Sequence, residues 1–189
     1  LWIILTLMIA FLVSVPLLWM SMYEYQRKRV LTFLNPESDP LGAGYHILQS
    51  KIALGSGGFF GKGLGQGSQA HLNFLPEKQT DFIFPMLCEE MGIMGGTFLI
   101  LLYIILLVYG FRISMLSRNS YGRFLGIGLT TLLFLSAFVN MGMVMGLVPV
   151  VGVPLPLVSY GGTAMMTFMM GLGLLVSIAI HRNVRFGRL

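Results

Sequence analysis

Five ionisable side chains, Glu77, Lys78, Asp81, Glu89 and Glu90, fall within one stretch, FLPEKQTDFIFPMLCEEMG, that leads into an apolar run. At membrane depth an ionisable group costs roughly 2.5–3.5 kcal/mol at a helix centre, so its presence there points to function. A local alternative stands beside that reading. Asp81 or Thr80 can cap the following helix, and acidic residues in a first turn suit the helix dipole. The capping reading weighs more for Glu89 and Glu90 than for Asp81.

Two further patterns bear on anions. The run GSGGFFGKGLGQGSQ, with Lys62 inside it and Lys51 just before it, suggests a phosphate-cradling loop, but the spacing is wrong. A phosphate loop ending at Lys62 needs glycine at Ser56 and Ser or Thr at Gly63. The dinucleotide spacing is not met either. A tightly turned glycine loop is therefore expected, with contact to a ligand backbone or diphosphate as the alternative. Ser159, Tyr160, Gly161 and Gly162 open the last apolar run, where free backbone N–H groups suit an anion or simply start a helix. The lone Cys88 excludes an internal disulfide and reads as a small apolar helix residue, and no Cys/His cluster suggests a structural metal.

The elements that must position these residues are membrane helices. Of 189 residues, 56% are apolar and only 10% charged, where soluble domains are nearer about a quarter charged; the mean hydropathy is +0.82. No charge occurs in 1–23, 91–111 or 124–180. A span needs roughly 20 mostly apolar residues, so the first two stretches hold one helix each. The third is longer and is interrupted by Gly146, Pro149, Gly152, Pro154 and Pro156, so it holds two. The expected fold is an all-α integral membrane protein, a polytopic bundle of about four spans near 1–21, 86–111, 122–146 and 162–181. The first segment has neither the basic start nor the cleavage site of a signal peptide. The chain opens at Leu1, inside an apolar run, which predicts a single membrane domain over 1–189 that is the C-terminal part of a larger bundle.

Arg112, Arg118 and Arg123 follow the second span, and Arg182, Arg185 and Arg188 follow the fourth. The positive-inside rule makes that side cytoplasmic, the C-terminus with it. A long loop at 22–84 and a short one at 147–162 are then extracytoplasmic, and at around 60 residues the long loop escapes the rule despite its own lysines and arginines. Met22 to Leu34 sets basic residues beside Tyr23, Tyr25 and Phe33, suiting either a headgroup-lying segment or a solvated helix end. NPESDPLGAG is turn-rich. Tyr45, Leu48 and Ile52 recur at helical spacing, predicting a short interfacial helix. The prolines of PVVGVPLPLVSYGG forbid a regular helix, and such backbone near lipid must pack in protein or line a wet cavity. Both loops share a side and can close over a common site. The net charge of +5 sits mostly in membrane-flanking segments, with no basic stripe interleaved with aromatics, so no nucleic-acid partner is expected.

Three strings, NPESDPLGAGYHILQSKIALGSGG, FLPEKQTDFIF with EEMG, and PVVGVPLPLVSYGG, resemble the SEDS family (shape, elongation, division and sporulation). They are most similar to its rod-shape branch, RodA; the division branch, FtsW, usually carries a lysine where Val150 and Val151 stand. The resemblance runs over nearly all of the chain and implies the C-terminal half of a peptidoglycan glycosyltransferase with about ten helices. Such enzymes polymerise lipid II at the outer face of the bacterial cytoplasmic membrane, during cell elongation and rod-shape maintenance. They work with a class B penicillin-binding protein transpeptidase among the membrane proteins of the elongation complex. The family's essential loop aspartate falls on Asp81, with Glu77 and Thr80 in the same motif. Gln79 departs from the family, many members having histidine there.

Lipid II polymerisation needs a base for the attacking sugar hydroxyl, which Asp81 can supply. It also needs positive charge or a divalent cation for the leaving diphosphate. Lys51, Lys62 or Lys78 can meet that diphosphate, each with a solvated loop lysine as the alternative, and no other cofactor is expected. Two rival classes remain, a lipid II flippase and a non-catalytic scaffold that activates a transpeptidase. A flippase calls for ionisable residues through the bilayer depth, which 124–180 lacks.

Overall fold

A computed structural model describes residues 2, 5, 6, 8, 14, 16, 19–39, 42–71 and 79–182, the side chains of 43, 70 and 71 excepted. Every described residue is helical, turn or irregular, with no strand among them. The order is α1 (Glu24–Leu34), a 3-10 turn (Pro36–Ser38), α2 (Ala43–Ser56), α3 (Ser68–His71), α4 (Ile83–Leu116), α5 (Ser120–Met145) and α6 (Gly162–Ile180). Of these α4, α5 and α6 are long and apolar enough to cross a membrane. They correspond to three of the four expected spans. The first expected span lies mostly outside the described residues, and those described between 2 and 21 are helical.

The long segment expected as a loop is largely helical. In α2 the residues turned into the protein are Ile47, Ser50 and Ala53, each at most 2% exposed, while Leu48 and Ile52 face outward. The expected short helix is there, with Leu48 and Ile52 of its apolar stripe exposed. The Ser50 hydroxyl donates to the Val144 carbonyl at 2.8 Å, fastening α2 to the end of α5. Gly44 lets the helix start lie on the 3-10 turn, since a Cβ there would be 2.0 Å from the Pro36 carbonyl oxygen.

The spans α4 and α5 pack closely because small residues face each other. A Cβ on Gly110 would be 2.7 Å from the Thr130 hydroxyl, and one on Gly126 would be 2.3 Å from the Ser114 hydroxyl. Ser114 and Thr130 are buried and return their hydroxyls to their own helices at Gly110 and Gly126, so the interface stays apolar at backbone distance. Asn119 caps α5 by accepting from the Tyr121 N–H at 3.2 Å, and Gly146, at φ 73, ends it in the left-handed conformation. At the opposite end of the bundle from the loops, the Arg118 N–H donates to the Arg182 carbonyl at 3.0 Å. The two basic segments therefore meet at one end.

At 34 residues, α4 is about 51 Å long, against about 30 Å of hydrocarbon. It is broken at Gly92, whose φ of 70 and ψ of −169 are not helical. The uncharged stretch from there to Phe111 is the part that matches a bilayer. Phe82, Phe84, Met86, Met143 and Leu155 belong to a core at the loop end of α4 and α5 that continues along the two spans to Tyr103 and Leu133. The most buried apolar packing thus lies directly beneath the two loops.

Candidate functional site

The turn that carries Asp81 is held by its backbone. Gln79, Thr80 and Asp81 present three successive carbonyls, and each is taken by a different donor from the second loop or α5. Tyr160 N–H donates to Gln79 O at 2.9 Å, and Ser159 Oγ donates to Thr80 O at 2.6 Å. Asn140 Nδ2 donates to Asp81 O at 3.0 Å. The same amide donates to Val153 O at 2.7 Å. These bonds explain why a proline-rich segment survives here: carbonyls that no regular element satisfies are satisfied across two loops.

The second loop is itself pinned. Ser159 Oγ accepts from the Leu155 N–H at 2.7 Å, the Tyr103 hydroxyl donates to the Pro156 carbonyl, and Arg29 donates from α1 to the Val151 carbonyl at 3.0 Å. Leu157 adopts φ 64, a left-handed conformation that costs a non-glycine residue about 1–3 kcal/mol and collects at functional sites. Gly152, at φ 79, comes so near that a Cβ would lie 3.2 Å from Asp81 Oδ2. Beside the turn lies an open cavity of about 450 Å³, lined by Gln79, Ile83, Ser159, Tyr160, Gly161 and Gly162.

A second cluster surrounds Glu89, which is fully buried. Its carboxylate accepts from Lys62 Nζ at 2.7 Å, Ser68 Oγ at 3.0 Å and Ser56 Oγ at 3.4 Å. The Gln69 N–H adds contacts at 3.2 and 3.3 Å to its two oxygens. This answers the desolvation cost of a buried charge, since a buried carboxylate is tolerated when paired and hydrogen-bonded. Around it the glycine run docks into the break in α4. Two helix bonds, from Ile93 and Met94 back to Glu89 and Glu90, are exchanged for bonds to the run. Lys62 and Gly63 N–H donate to Glu89 O and Glu90 O, each at 3.0 Å, while Ile93 and Met94 N–H donate to Gly58 O and Phe59 O at 3.0 and 3.4 Å. Only glycine permits the approach: a Cβ on Gly61 would be 2.1 Å from Glu90 O, and one on Gly57 would be 2.1 Å from Cys88 O.

Of the residues singled out from sequence, Thr80, Asp81, Ser159, Tyr160, Gly161 and Gly162 come together at the loop end. Ser159 is buried and its hydroxyl is used within the protein, whereas Tyr160 is exposed. The last helix starts at Gly162, after an extended Gly161, with no side-chain cap. Lys62 is turned onto Glu89, an ion-paired loop lysine rather than a solvated one. Lys51 lies over the end of α5, where a Cβ on Gly146 would be 2.7 Å from its Nζ, a place where helix carbonyls favour a cation. Glu77 and Lys78 lie outside the described residues, as do Arg185 and Arg188. The capping reading fails for both glutamates, because α4 begins at Ile83 and Phe82 occupies the N-cap position. Glu89 is in the second turn and serves as an internal acceptor instead. Asn140 was not foreseen; its signal is that it is the one asparagine in the uncharged stretch 124–180. Among the described residues no three His, Cys, Asp or Glu side chains cluster as metal ligands.

Comparison with known proteins identifies the family. The family model for cell cycle proteins, FtsW, RodA and SpoVE, matches residues 1–184. Peptidoglycan glycosyltransferase MrdB of Escherichia coli (strain K12) is 54% identical over 171 residues, covering 90% of this chain and 46% of that protein. Stage V sporulation protein E of Bacillus subtilis (strain 168) is 44% identical over 155 residues, covering 82% of this chain and 42% of that protein. Peptidoglycan glycosyltransferase RodA of Treponema pallidum (strain Nichols) is 46% identical over 154 residues, covering 82% and 36%. A solved chain from a peptidoglycan synthase complex, in a study of how polymerization and crosslinking are coordinated, superposes with a TM-score of 0.73 at 30% identity. That match covers 96% of this chain and 50% of the other. The chain spans about half the length or less of these relatives. It belongs to the FtsW, RodA and SpoVE family of polytopic membrane proteins.

Proposed function

We propose that this chain is the part of a peptidoglycan glycosyltransferase that carries the catalytic carboxylate, in an enzyme that polymerises lipid II into glycan strands during cell elongation. The observation that carries the reading is the support of Asp81. Three consecutive carbonyls around it are bonded to the second loop and α5, beside an open cavity. A base must stand within hydrogen-bond reach of the proton it takes, and a held turn that borders open space through Gln79 supports that role for Asp81.

In this mechanism a sugar hydroxyl attacks the anomeric carbon of a lipid-diphosphate sugar. Asp81 takes the hydroxyl proton as the new glycosidic bond forms, and the bond from the anomeric carbon to diphosphate breaks. The leaving diphosphate gains negative charge, which Lys51, Lys78 or a divalent cation neutralises. The uncapped N–H groups at Gly161 and Gly162 border the cavity and suit the same anion. Thr80, in that turn, and Glu77, by its place in the same sequence motif, are assigned to substrate binding. Lys62 serves by holding the glycine run, since its ammonium is committed to Glu89.

The basic end, with Arg112, Arg118, Arg123 and Arg182, is assigned to the cytoplasm of a bacterial inner membrane, and 22–84 and 147–162 to the outer side. There lipid II meets the site and a class B penicillin-binding protein can receive the strand. The likeness to a chain solved in a peptidoglycan synthase complex supports such a partner. In the full-length parent protein with its transpeptidase, Asp81→Ala is expected to lower polymerisation of lipid II at least about 10²-fold while membrane insertion is kept. Retained polymerisation would move the chemistry away from Asp81.

A further inference from the structure

We infer that Asn140 is a positioning residue for Asp81, an inference that rests on the role proposed for that carboxylate. Asn140 is fully buried on α5, and both of its bonds come from Nδ2: one to the Asp81 carbonyl at 3.0 Å, one to the Val153 carbonyl at 2.7 Å. Two facing acceptors leave the amide only one orientation, because its own oxygen in that place would meet two carbonyl oxygens. Oδ1 is thereby turned away, and it is buried without a hydrogen-bond partner. The amide thus satisfies two carbonyls of the loops at the cost of one buried acceptor of its own, which ties its place on α5 to the loops it holds.

The two bonds reach Asp81 from both sides. One holds its main chain. The other holds Val153, the neighbour of Gly152, and Gly152 is the residue whose Cα comes close to Asp81 Oδ2. A single amide on a membrane helix therefore fixes the backbone beneath the carboxylate and the loop that limits where the carboxylate can swing. The hydroxyl of Ser159 and the N–H of Tyr160 hold only the two preceding carbonyls. Removing the amide leaves the Thr80 carbonyl bonded but takes away the bond to the Asp81 carbonyl and the one to Val153, and a displacement of about 1 Å can lower a rate 10²-fold.

The test uses the full-length protein with its transpeptidase partner and lipid II as substrate, comparing wild type, Asn140→Ala, Asn140→Thr and Asp81→Asn. Threonine keeps one donor at nearly the same volume, so it guards against a variant that merely fails to fold. Asn140→Ala is expected to lower kcat roughly 30-fold, with KM within about twofold and Asn140→Thr between the two. Wild-type kcat in both Asn140 variants, with Asp81→Asn inactive, would overturn the positioning role alone. So would a joint loss of kcat, KM and folded complex in both Asn140 variants, which is the mark of a structural residue. Polymerisation by Asp81→Asn would instead remove the reading on which the inference rests.

Discussion

Glu89 and Asp81 are carboxylates eight positions apart in sequence with opposite surroundings. Glu89 is fully buried and surrounded by donors, while Asp81 is half-buried in a turn whose Gln79 lines an open cavity. The first arrangement holds a charge inside the protein, and the second sets a carboxylate in the turn that the two loops share. The Lys62–Glu89 pair is also unequal, since the Lys62 side chain is 30% exposed and that of Glu89 is 0% exposed. Removing the lysine strands a buried charge, whereas removing the carboxylate leaves an ammonium that water can reach. Lys62→Met is therefore expected to destabilise the protein by about 3 kcal/mol, more than Glu89→Gln, with the double variant recovering part of the loss. Thermal unfolding of the purified protein in detergent checks the order, and equal losses for the two single variants would refute it. The sequence made these charges visible but not their division of labour. Glu89 sits in the second turn of α4 rather than the first, and its partners lie 20 to 33 positions upstream.

Among the elements, the spans were the most legible, because uncharged runs of the right length have few places to go except a bilayer. α4 begins at Ile83 and runs to Leu116, several residues beyond each expected bound, since helix ends are set by caps and tertiary contacts rather than by hydropathy. The break at Gly92 was not legible. A glycine in an apolar helix is ordinary, and this one is broken only because the glycine run supplies the exchanged bonds from some 30 positions earlier. The run lacks phosphate-loop spacing, and in the structure it docks on the backbone of α4, a partner that its own sequence does not announce. Gly61→Ala is accordingly expected to expel the run from α4, because the new Cβ would collide with Glu90 O. Limited proteolysis should then cut within 57–65 at least about tenfold faster than in wild type. Unchanged cleavage would mean that the docked arrangement is not what protects the run.

On the scale of the whole molecule, the loops and the basic segments gather at opposite ends of three apolar helices. That polarity gives the bundle one loop-bearing end, which is where the proposed chemistry is assigned. It also predicts a labelling pattern. In intact cells, with Cys88 replaced, a cysteine at Leu64, which is 78% exposed, should react with an impermeant thiol reagent. A cysteine at Arg118 should react only after the membrane is opened. The reverse pattern would invert the topology and place the site on the cytoplasmic face. Motif resemblance pointed to Asp81 and the charge pattern put the two loops on one side, while the geometry added what neither states, namely the amide of Asn140 that bonds to both. The most direct test of the central claim is lipid II polymerisation by the full-length parent with its transpeptidase, wild type against Asp81→Ala, read as glycan strand length. Long strands from wild type and none from the variant are the predicted result. Strands of equal length and yield from both would contradict the account.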